Sequence, residues 1–120
     1  MILRKNALVI QEDIIILKIL ERMISSKNFN CKAITSLAQL DIEDQQTNFD
    51  LILTDILFEG ISPLEFISQV QEVILHKNLL VVTNMGQDNV KRKILDLEGI
   101  SGFFSVPLDL DEIETLIETY

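Results

Sequence analysis

Polar residues capable of chemistry stand where the apolar runs of this chain stop. Gln11-Glu12-Asp13 follows Ala7-Leu8-Val9-Ile10, Asp55 closes the run that begins at Phe49, and Thr83 closes Leu79-Leu80-Val81-Val82. Short continuous apolar runs suit strands covered on both faces. If such strands lie parallel, their carboxyl ends share one edge, and these side chains converge there. Carboxylates gathered at one edge repel each other, so a cation or a hydrogen-bond donor must compensate. Hard oxygen ligands suit Mg²⁺, which takes one or two carboxylates and completes its shell with waters and phosphate oxygens. A carboxylate held beside such a cation can also act as a nucleophile and carry an acyl phosphate. Taken singly, Glu12 or Asp13 reads as a solvated strand end; the set carries the functional reading.

The elements that must position this set are legible from periodicity. From Ile14 to about Ser26, the apolar positions Ile16, Ile19, Leu20, Met23 and Ile24 recur at helical spacing, and Asn28-Phe29-Asn30 ends the pattern. Cys31 to Thr35 reads as a weak second strand, and Ser36 to about Asp44 as a short helix carrying Leu37, Leu40 and Ile42. Phe49 to Asp55 is the strongest strand. Ser62-Pro63-Leu64-Glu65 predicts a helix start, with Ser62 as cap, Pro63 at the first helical position and Glu65 closing a capping box. Phe66, Ile67, Val70, Val73 and Ile74 form the stripe of that helix, and His76 falls near its end. Leu79 to Thr83 is a fourth strand, Asp88 to Leu97 a fourth helix stopped by Gly99, Phe103 to Val106 a fifth strand, and Leu110 to Ile117 a fifth helix. The order is strand then helix, five times. Helical crossovers between buried strands predict an α/β fold, a five-stranded parallel sheet with helices on both faces.

Composition narrows the function classes. The 120 residues suit one domain spanning 1–120, and 48% hydrophobic content suits a packed core. A formal charge of −9 argues against non-specific binding to nucleic acid. Cys31 is the sole cysteine, so there is no intrachain disulfide and no Cys/His set for zinc. No apolar run approaches the roughly 18 residues of a membrane span, and the first residues show no n-region, h-region and cleavage-site pattern. The expectation is a soluble, cytoplasmic, acidic protein.

Ala7 to Asp13, Asp50 to Asp55, Val81-Val82-Thr83 and Gly102 to Leu108 together resemble the receiver domain of two-component response regulators. The resemblance covers essentially the whole chain and implies a doubly wound, flavodoxin-like (βα)5 fold. It implies that Asp55 accepts a phosphoryl group from a histidine kinase or phosphotransfer protein. Thr83 is then the hydroxyl that contacts the phosphoryl, and Phe103 the aromatic that changes rotamer with it. Mg²⁺ is implied at Glu12, Asp55 and the backbone carbonyl of Leu57, with Asp13 as a further candidate. The fourth and fifth helices and the strand between them are implied to meet a downstream partner, an output domain or a second copy. Lys91-Arg92-Lys93 and the acids Asp109, Asp111, Glu112, Glu114 and Glu118 give that face complementary charge.

The chain departs from the family pattern in several places, two of which bear on the site's charge. Gln11 falls on the first of two expected acids, with Glu12 on the second. Val106 stands before Pro107, where the family has a Lys that pairs with the acceptor and then the phosphoryl. Phe58-Glu59 also replaces the usual Met-Pro, and Asn84 replaces a smaller residue beside Thr83. The alternative is therefore a pseudo-receiver, an interaction module that works without phosphorylation. An enzyme turning over a phospho-aspartate is disfavoured by Leu57, where such hydrolases carry a second acid. A nucleotide-binding domain is disfavoured because the chain has no glycine-rich phosphate loop. The Val106–Pro107 bond is expected to be cis, and His76 is not expected to be a phosphodonor.

Overall fold

A computed structural model describes residues 4–84 and 88–120. The strands are β1 (Lys5–Ile10), β2 (Phe29–Ile34), β3 (Phe49–Thr54), β4 (His76–Thr83) and β5 (Ile100–Ser105). They pair in parallel in the order β2-β1-β3-β4-β5. The helices are α1 (Ile14–Ser25), α2 (Ile42–Gln46), α3 (Pro63–Val73), α4 (Asp88–Leu95) and α5 (Leu110–Ile117).

Alternation along the strands sorts the core into two layers. Leu8, Ile10, Ile52, Leu79, Val81 and Phe103 pack with Phe66, Ile67 and Val70 of α3 and Ile94 of α4. Ala7, Val9, Leu51, Leu53, Leu80 and Val82 pack with Leu17, Leu20, Met23 and Ile24 of α1 and with Ile113 and Ile117 of α5. The inner strands β1, β3 and β4 therefore bury both faces, as their unbroken apolar runs require, while the edge strands β2 and β5 are only partly covered. The chain switches from one side of the sheet to the other between β1 and β3, which opens the crevice at their carboxyl ends.

The helix ends follow local chemistry. Asp13 caps α1, its Oδ1 accepting from Ile15 N–H (2.9 Å) and Ile16 N–H (3.3 Å). Asn28 takes a left-handed φ of 69°, which Asn tolerates better than most residues, and turns the chain into β2. The Ser62 arm of the expected capping box is present, with Oγ accepting from Glu65 N–H (3.3 Å). A full two-way box occurs instead at Asp41 and Asp44, at the start of α2. Asp50, second in β3, anchors both neighbouring strands, accepting from Asn6 N–H (2.9 Å) and pairing with Lys77 Nζ (3.2 Å). Burial works against ionisation of Asp50, but the Asn6 amide and Lys77 prevail and hold its carboxyl below the usual range.

Five expectations are corrected. The buried line of α1 is Leu17, Leu20, Met23 and Ile24, while Ile19 is 40% exposed. Isoleucine or leucine fills Ile14 to Leu17, Ile19 and Leu20, so periodicity alone leaves the helix phase free. The helix expected from Ser36 to Asp44 divides into a 3₁₀ turn, Leu37–Gln39, and α2, and Ile42 is left exposed. Asp41 is the divider, because it takes an extended conformation to cap α2. His76 belongs to β4, paired with Phe49, because Ile74 is already extended and the start of β3 needs a partner. Val73 is exposed rather than part of the stripe of α3. The α4 helix ends at Leu95, and Gly99, with φ of 85°, makes the turn into β5.

Candidate functional site

Asp55 follows directly on β3, the central strand, and is the keystone of the carboxyl edge. Its N–H donates to Ile10 O (2.8 Å), which ties it to the end of β1. Its side chain is only 9% exposed, and Oδ1 accepts from Ile56 N–H (2.7 Å) and Leu57 N–H (3.2 Å). Two backbone amides on one oxygen fix the orientation of the carboxyl group. Both of these bonds fall on Oδ1 and neither on Oδ2. None of the ion pairs among the described residues involves Asp55.

Thr83 ends β4, beside β3, and is buried. Its carbonyl accepts from Val106 N–H (3.0 Å), so the ends of β4 and β5 are stitched together at this level. Val106 itself is 45% exposed and precedes a cis peptide bond to Pro107, as the resemblance implied. It contributes no charge. Phe103 lies on the face of β5 turned toward α3 and α4, in the buried core. Lys91 of α4 places its Nζ 6.0 Å from the centre of the Phe103 ring, within reach of a cation–π attraction. Charge patterning places Lys91 only in a basic surface patch; its contact with Phe103 depends on how α4 packs on β5.

At the end of β1 the three polar residues part ways. Gln11 turns inward, 1% exposed, and its Nε2 donates to Val82 O (2.9 Å). Glu12 is exposed and free to face solvent or a cation. Asp13 spends Oδ1 on the α1 cap. The cap gives Asp13 a structural role, and Asp13→Ala should cost about 1 kcal/mol of stability, the usual worth of an N-cap. Urea unfolding, with magnesium affinity measured in parallel, checks this: stability falls and affinity holds if the residue is a cap alone.

The donor set fits a hard cation modestly. Glu12, Asp55 and the Leu57 carbonyl are oxygen donors of the kind Mg²⁺ accepts, with waters filling the remaining positions. Among the described residues, no three His, Cys, Asp or Glu side chains cluster closely enough to hold a metal alone. Beside Glu12 opens a groove of about 530 Å³, lined by Leu37, Phe58, Ile61, Phe66 and a second carboxylate, Glu59. Phe58, standing in place of the usual Met, stacks on Phe66 of α3 with ring centres 4.2 Å apart. Asn84 is exposed next to Thr83. Away from this edge, burial pushes the Cys31 thiol up to about 12, with the Glu21 charge adding to the effect. Cys31 is accordingly an inert packing residue.

The profile of the response regulator receiver domain matches residues 7–118. The chain belongs to the response regulator receiver family. The receiver superposes on a response regulator receiver protein from Pseudomonas putida with a TM-score of 0.80, 18% identity and all of both chains covered. A response regulator from Thermotoga maritima gives 0.79 and 17%, covering 98% of this chain and 97% of that one. A two-component response regulator from Clostridium difficile gives 0.81 and 14%, covering 97% and 94%. No curated protein sequence matches. At these identities the structures speak for the fold, which is the flavodoxin-like arrangement expected from the sequence. Among the described residues of this receiver, no helix is long and apolar enough to cross a membrane.

Proposed function

We propose that this receiver accepts a phosphoryl group on Asp55 and transmits the change through Thr83 and Phe103 to the surface formed by α4, β5 and α5. The observation that carries the reading is the state of Asp55: almost buried, with Oδ1 anchored by two amides, at the end of the central strand and beside Thr83. In the step, Oδ2 attacks phosphorus, the bond from phosphorus to the donor nitrogen breaks, and the nitrogen leaves with a proton. The product is an acyl phosphate. Mg²⁺, held by Glu12, Asp55, the Leu57 carbonyl and waters, would supply the positive charge that eases approach of a phosphate to a carboxylate. The Ile56 and Leu57 amides orient the nucleophile. In this reading Thr83, at the end of the neighbouring strand, would meet a phosphoryl oxygen, and Phe103 and Lys91 would link that event to α4. A signalling switch of this kind holds a phosphoryl group rather than turning over a substrate, and the group supplies the differential stabilisation that shifts a pre-existing equilibrium.

The proposed donor is a histidine kinase or a phosphotransfer protein of the cytoplasm. The proposed recipient is a partner or output domain on the α4, β5 and α5 face, or a second copy. That face pairs an exposed Lys91-Arg92-Lys93 with a groove of Phe104 and Leu116 beside Asp109, Asp111 and Glu112. The reading places one domain across the chain.

Intact mass after incubation with phosphoramidate and Mg²⁺ tests the proposal. The wild type should gain one phosphate, while Asp55→Asn and a sample treated with EDTA should gain none. Absence of any gain, under conditions that modify an ordinary receiver in parallel, overturns it. A second reading, the phosphorylation-independent module, is favoured by Val106 and by the lack, among the described residues, of a cation paired with Asp55. It predicts no gain.

A further inference from the structure

We infer that Gln11 is a positioning residue, a neutral brace that holds the end of β4 and therefore Thr83 in place without a cation. Strands β1 and β4 never pair, because β3 runs between them. Adjacent strands lie about 4.8 Å apart, so a contact from β1 to β4 must cross roughly twice that distance. Gln11 makes that crossing: its backbone N–H donates to Ile34 O (3.1 Å) of β2 and its side-chain Nε2 to Val82 O (2.9 Å) of β4. One residue thus links three strands over the end of β3, where Asp55 is held by Ile10 O. Gln11 is 1% exposed and Val82 fully buried, so the bond lies out of reach of bulk solvent.

The residue type is decisive. A carboxylate at position 11 has no proton to donate at neutral pH and would face the Val82 carbonyl with like polarity. It would have to turn out toward the carboxyl edge, where it could serve a cation but could not hold β4. The amide does the reverse. The loss of one acid from the expected pair is therefore also a gain: the strand that carries Thr83 is tethered at the preceding residue, through a contact 71 positions apart in sequence. That Thr83 is a moving switch rests on the receiver reading above; the tether itself does not.

Val106 N–H, which donates to Thr83 O, is the reporter. Amide exchange is followed by NMR in the absence of any phosphodonor for wild type, Gln11→Met and Gln11→Glu, with Ser26 N–H, bonded to Arg22 O at the far end of α1, as a reference for local opening elsewhere. Loss of one buried neutral hydrogen bond should speed exchange at Val106 roughly five- to tenfold in both variants while Ser26 is unchanged. Magnesium titration then separates them: Gln11→Glu should bind more tightly than wild type, and Gln11→Met should not. Unchanged exchange at Val106, or acceleration shared equally by Ser26, overturns the proposal. If either substitution prevents folding, Gln11→Asn supplies the test, since its shorter amide keeps the chemistry but falls short of Val82. Failure of the phosphoramidate experiment leaves these outcomes untouched, so the two ideas fail separately.

Discussion

Val106→Lys should raise the rate of phosphoryl uptake at Asp55 by about 10²-fold, the lower end of what one preorganised electrostatic contact contributes to such a step. The backbone is already in place, because Val106 N–H is held by Thr83 O and the following peptide is cis. A lysine stem from this position extends along the carboxyl edge beside Thr83. A unit charge about 4 Å from the transferring group is worth about 4 kcal/mol at an effective dielectric constant near 20. The position is 45% exposed, so solvent screening and the entropy of a long side chain reduce that figure. A hundredfold gain, about 2.7 kcal/mol, is what survives. The initial rate of mass gain from phosphoramidate measures it, with Val106→Met as a control of similar length and no charge. Equal rates for the Lys and Met variants would show that the transferred group does not approach this end of β5.

Truncation of Ile52 to Ala should destabilise the protein by about 3–4 kcal/mol, within the range for fully buried isoleucine. Ile52 lies midway along β3 with no exposure, opposite Leu8 on β1 and Leu79 on β4. Neighbours on both sides are backbone-paired and cannot collapse into the space, so the cavity persists. Against a total stability of about 5–15 kcal/mol, this is a large share. In urea the midpoint should fall with an unchanged slope, the mark of lost stability without a changed unfolded state. Ile15→Ala is the matched control: at 73% exposure it should shift stability by no more than about 0.5 kcal/mol. A small effect at Ile52 would mean that β3 is not the centre of the core. Asp55 would then lose the rigid base on which its geometry depends.

The same strand shows why much of this receiver is legible without coordinates. Runs such as Leu51-Ile52-Leu53 can be buried only on both faces, and helical spacing between such runs leaves a parallel doubly wound sheet as the simple arrangement. Once that is granted, the strand ends share an edge, and Glu12, Asp55 and Thr83 are brought to it by local sequence alone. The parallel sheet class and the composition of its edge were therefore legible in patterns within a few residues.

What the tertiary structure decided involves partners distant in sequence, which no local pattern encodes. An α1 rich in isoleucine offers several possible faces, and only packing on β1 and α5 selects Leu17 over Ile19. His76 looks helical until β3 requires an edge to pair with. Gln11 reads as a missing acid, because its acceptor, the Val82 carbonyl, lies 71 residues away. Lys91 reads as surface charge until α4 is laid across Phe103. Each of these is a long-range contact whose energy depends on geometry. Residue type limits what such a contact can be, and the fold determines which one is made.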